Sequence, residues 1–103
     1  MVKSEIFANA LRDVCEVTGI SERDIMSRSR REEIVDARHL LAEELRRRGY
    51  YPLMIAGRLG VSCRAVRNML RDFPSRAVRS PGLEMCRRRM EEMRKKEGTN
   101  QEA

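Results

Sequence analysis

Two clusters of arginine in this 103-residue chain have residue types and spacing suited to chemistry. The first is "SRSRR", where Arg28, Arg30 and Arg31 alternate with serine or adjoin each other. The second lies in "SCRAVRNMLR", where Arg64, Arg67, Asn68 and Arg71 recur at the three- and four-residue spacing that gathers side chains on one face of a helix. A guanidinium is a permanently charged planar fork that meets phosphate or a guanine edge bidentately, and an asparagine amide matches adenine. Such a face suits a DNA major groove, with Ser62 and Cys63 at the start of the same helix close to whatever it meets.

These side chains need elements to hold them. Ser62 is placed as an N-cap, opening a helix to about Phe73. On a helical projection Val66, Met69, Leu70 and Phe73 fall within about 100° of arc, and the basic set occupies a similar arc opposite. Before it, "PLMIAGRLG" predicts a shorter helix with Pro52 in its first turn and Gly60 at its end. Small Ala56, Gly60 at a positive φ, and Val66 against Leu59 then make a tight crossing, so residues 52–73 read as a helix-turn-helix.

Further upstream, Ile6, Phe7, Ala10, Leu11, Val14 and Cys15 form one helical face behind a Ser4 cap and before Gly19. Ser21 with Asp24 three residues on opens a short second helix. After the basic loop, a long helix from Glu32 to Arg48 carries Ile34, Ala37, Leu41 and Leu45 on one stripe, with Val35 and Leu40 off it. It is expected to be the centre of the fold, with neighbours on several sides. Arg38 falls inside its apolar stripe, which leaves two roles open: a stem that packs while the head reaches water, or a phosphate contact. Glu32, Glu33 and Asp36 are near enough in sequence to pair with the loop arginines.

Residues 74–82 read as a connector because they contain Pro74, Pro81 and Gly82. Residues 83–97 carry Leu83, Cys86, Met90 and Met93 as a narrow amphipathic stripe, which either packs back on the domain or forms a weak dimer seam. The tail 98–103 is expected to be disordered.

Composition limits the alternatives. With two Phe, two Tyr and no Trp, the core must rest on aliphatic residues and seven Met, so an all-α domain is expected. The formal net charge is +6. Three separated cysteines and one histidine fit neither a disulfide framework nor a zinc site, and a reduced cytoplasmic setting is expected. No apolar run is long enough for a membrane span. Cys63 at a helix N-terminus and His39 elsewhere offer a nominal thiol and base. No carboxylate pair, metal spacing or Gly-rich phosphate loop accompanies them, so no enzymatic activity, cofactor or small-molecule substrate is expected.

The stretch "DIMSRSRREEIVDARHLLAEEL", followed by the helix-turn-helix, resembles the C-terminal DNA-binding domain of the bacterial replication initiator DnaA, within the Trp-repressor-like helical folds. The resemblance covers residues 5–73, within an expected domain spanning 4–73. It implies that Arg30 enters a minor groove with Arg28 and Arg31 as cationic neighbours, that Arg38 touches the backbone, and that the last motif helix reads the adjacent major groove. The family signature G-G-R-D-H-T-T-V is replaced here by a stretch one residue shorter, "GVSCRAV". What the resemblance implies is therefore a docking geometry on duplex DNA with an altered sequence preference and no ATPase. The alternative is a protein-interaction module that keeps the scaffold.

Overall fold

A computed structural model describes the backbone of residues 3–102 and the side chains of residues 4–96. The described residues form six helices and no strand: α1 Lys3–Thr18, α2 Glu22–Ile25, α3 Glu32–Arg47, α4 Pro52–Leu59, α5 Cys63–Arg79 and α6 Pro81–Glu102. The protein is all-α, as its aliphatic composition requires.

α3 is the central element and packs against each of the other five helices. Its burial explains this: Ala37, Leu40, Leu41, Ala42 and Leu45 are all at most 1% exposed, more than one stripe can supply. Each fully buried Leu or Ile contributes about 1.5–3 kcal/mol. Around α3 lie Ala10, Leu11, Val14 and Val17 of α1, Ile25 of α2, Ile55 and Ala56 of α4, and Val66, Phe73 and Ala77 of α5. Gly49 then ends α3 at φ 105°, and the Tyr50 amide bonds back to the Leu45 carbonyl at 2.9 Å, which tucks the Tyr50 ring into the core.

The α4–turn–α5 unit follows the same logic. Gly60 takes φ 69°, the Val61 amide bonds the Ala56 carbonyl at 3.1 Å, and the Ser62 hydroxyl accepts from the Ala65 amide at 3.0 Å. Val66 is fully buried against the core, with Leu59 beside it.

Three expectations change. Ser4 lies inside α1 rather than capping it. The connector at 74–82 is absent, because α5 continues through Pro74 to Arg79 and leaves Ser80 as the sole non-helical residue before α6. An interior proline costs about 3 kcal/mol. Here the burial of Phe73 and Ala77 and an Arg76–Asp36 ion pair to α3 hold the helix together across it. Residues 98–102 continue α6 instead of forming a loose tail, and Ala103 lies outside the described residues.

The α6 stripe packs inward. Leu83 and Met90 are buried, with Cys86 and Met93 partly so, against α1, α3 and α5. The face that suited a dimer seam is thus used within the chain. A polar network fastens it: the Arg94 guanidinium reaches the buried Glu44 carboxylate at 2.6 Å, and Arg48 links Glu44 at 2.8 Å to Asp13 of α1 at 3.0 Å. No helix among the described residues is long and apolar enough to cross a membrane.

Candidate nucleic-acid interface

The basic loop is folded by its serines. Ser27 Oγ donates to the Asp24 carbonyl at 2.6 Å and accepts from the Ser29 amide at 3.2 Å, and Ser29 Oγ accepts from the Arg31 amide at 3.2 Å. These short side chains compete for backbone partners and so build turns where a helix would otherwise extend. The consequence is alternation: Ser27 and Ser29 are half-buried, while Arg28 and Arg30 stand exposed between and beyond them.

Arg38 braces this loop from beneath. Its Nε donates to the Ile25 carbonyl at 2.8 Å and its Nη2 to Ser27 Oγ at 3.5 Å, so α3 carries a strap across the end of α2. Partial burial disfavours the charged guanidinium and lowers its pKa, although an arginine stays protonated at any physiological pH. Two roles were open to Arg38, and the structure shows it half-buried with its head on the last carbonyl of α2 and the Ser27 hydroxyl.

On α5, Arg64, Arg67 and Arg71 are exposed and Asn68 is half-exposed. Ser62 is engaged as the N-cap, and Cys63 at the first helical position is half-buried against the core. Helix and loop meet at one cleft, of about 470 Å³, whose walls include Arg28, Arg30 and Arg38 on one side and Gly60, Val61 and Met69 on the other. The loop therefore borders the turn that launches α5 and the Met69 edge of that helix.

Charge pairing divides the arginines. Among the described residues Arg28, Arg30, Arg64 and Arg67 take part in no ion pair. Arg31 meets Glu33 at 2.7 Å and Arg71 meets Asp72 at 3.4 Å, both between exposed groups, where such pairs contribute about 0–1 kcal/mol. By contrast Arg46, Arg47, Arg48, Arg76, Arg87 and Arg94 are bound to carboxylates on α1, α3 and α6. Asp36, which sequence proximity assigned to the loop, is turned away and holds Arg76.

Sequence reading missed Arg58 of α4, an exposed guanidinium lying 5.2 Å from the centre of the Phe7 ring. It also passed over Ser27 and Ser29, although serine alternating with arginine is a signal for hydroxyl-built turns. His39 is buried on α3, with Nδ1 donating to the Val35 carbonyl at 2.8 Å. Its pKa is lowered, chiefly by burial. Neither Cys63 nor His39 belongs to a group of side chains able to hold a metal ion, since no such group occurs among the described residues. Comparison with models of protein families, with curated proteins and with solved structures finds no match to the chain.

Proposed function

We propose that the protein binds double-stranded DNA, with α4 and α5 as a helix-turn-helix, α5 in the major groove and the Arg28–Arg31 loop on the adjacent backbone and minor groove. The reading rests above all on one observation: Arg28 and Arg30 of the loop and Arg64 and Arg67 on the outer face of α5 are exposed without carboxylate partners, and the loop shares a cleft with the turn that launches α5 and with Met69 of that helix. Arg23, Arg58, Arg79 and Arg89 are likewise without an ion pair among the described residues, but they do not line that cleft, whereas Arg46, Arg47 and Arg48 of α3 are held by carboxylates. The DnaA-like reading of the loop and turn supports the same docking, with Arg64, Arg67 and Asn68 as base readers and Arg28, Arg30, Arg31 and Arg71 on phosphate or minor groove. Arg38 acts through the loop. Within this reading the chain works as a binding module in the cytoplasm without nucleotide hydrolysis.

Fluorescence anisotropy with a random-sequence duplex over a salt series tests it. About four to six neutralised phosphates should give a slope of log K against log salt near −4 to −5. Arg30→Ala should weaken every duplex alike. Arg64→Ala should mainly erase preference among sequences recovered from a random library, by about 1–3 kcal/mol. Duplex affinity indifferent to both changes would sink the proposal in favour of an interaction module.

A further inference from the structure

The groove between α5 and α6 has no part in the proposed DNA contact. It is about 590 Å³, and its floor is apolar, with Leu70, Phe73, Pro74 and Val78 of α5 and Pro81 of α6. Val78 is 84% exposed at its edge. Pro74 has no amide hydrogen, so the usual helical bond to the carbonyl four residues earlier is not made on this wall.

The rim is cationic. Arg46 and Arg47 share the single carboxylate of Glu43, both at 2.8 Å. Arg87 and Arg88 share that of Glu84 at 2.7 Å and 3.4 Å, and Arg87 also lies 3.6 Å from Glu91. Of these, three guanidinium groups, those of Arg46, Arg47 and Arg87, line the groove with two carboxylates, Glu43 and Glu84, and Arg46 and Arg47 keep substantial exposure. From Leu70 to Val78 the floor extends about 12 Å along the helix axis, which matches apolar anchors spaced i, i+4 and i+7 on a partner helix.

We infer that this groove is a docking site for an acidic amphipathic helix of a partner protein. Apolar side chains of that helix would fill the space between Leu70 and Val78, and its flanking carboxylates would engage Arg46, Arg47 and Arg87. A partner held there lies on the C-terminal half of α5, leaving Arg64 and Arg67 at the other end of the helix free to act.

The test uses the full chain and two synthetic helical peptides, one with Leu at the i, i+4 and i+7 positions and Glu on the flanks, the other with Lys replacing each Glu. Saturable binding is expected for the acidic peptide alone, with amide shifts in two-dimensional NMR confined to the second half of α5, the first half of α6 and the end of α3. Val78→Asp, at an exposed position that folding does not use, should weaken binding by about tenfold or more. Arg47→Ala should weaken it less and reduce its salt dependence. Absence of saturable binding, equal binding of the Lys peptide, indifference to Val78→Asp, or shifts centred on Arg64 and Arg67 would each overturn the inference. Sedimentation of the free chain covers the remaining occupant: association abolished by Val78→Asp would assign the groove to a second copy of this protein and overturn it equally.

Discussion

Arg38 shows how one side chain governs others without touching a ligand. It links the last carbonyl of α2 and the hydroxyl of Ser27, and from Ser27 the chain of bonds continues to Ser29 and Arg31. Arg38→Lys keeps the charge and loses the fork, so duplex affinity should fall while amide exchange at residues 27–31 accelerates, with a stability loss of about 1–2 kcal/mol. His39 makes a separate residue-scale prediction. Burial and the nearby Arg76 lower its pKa, outweighing the Val35 hydrogen bond and the charges of Asp36 and Asp72. The unfolded chain therefore takes up the proton first as pH falls below about 6.5, and stability drops from there down to the folded pKa. His39→Gln should remove that part of the decline in Tm between about pH 7 and pH 5, read as the difference from the parent protein. What sequence periodicity could assign at this scale was direction: Arg64, Arg67 and Arg71 project outward as their spacing predicts. It could not assign pairing, because the Asp36–Arg76 bond spans α3 and α5 and depends on a crossing that no local pattern encodes.

Among the elements, α3 and α4 were predicted nearly as found, since Pro52 in the first turn of α4 and Gly49 and Gly60 at the C-terminal ends mark them by local chemistry alone. α5 was not. Pro74 is a local stop signal, and tertiary contacts at Phe73, Ala77 and Arg76 override it. That override is measurable: Pro74→Ala should raise Tm and stabilise the fold by as much as about 3 kcal/mol, since it restores a helical hydrogen bond to the Leu70 carbonyl. α6 owes its position to buried charge as well as to Leu83 and Met90. Arg48→Met would remove the 3.0 Å partner of Asp13 and the 2.8 Å partner of Glu44, whose carboxylate then relies on Arg94, both residues being 2% exposed. A loss of about 3–5 kcal/mol is expected, seen as a lower denaturant midpoint. Sequence alone gave no warning of this, because Asp13, Glu43 and Glu44 look like ordinary solvated residues until α1 and α6 close over them.

For the whole molecule, charge separation is the organising feature. Arg46, Arg47 and Arg48 of α3 and Arg87, Arg88 and Arg94 of α6 are paired with carboxylates inside the chain, whereas Arg28 and Arg30 of the loop and Arg64 and Arg67 of α5 are not. Net charge and pI describe the total and are blind to this division, which appears only when the helices are assembled. Because α5 and α6 are joined by Ser80 alone, one pair of backbone torsions is all the slack between them. Amides in both helices should accordingly exchange with a common opening free energy. A pull applied to the C-terminal helix would be delivered to its cationic neighbour as torque on a stiff crank, with no compliant spring in between to absorb it.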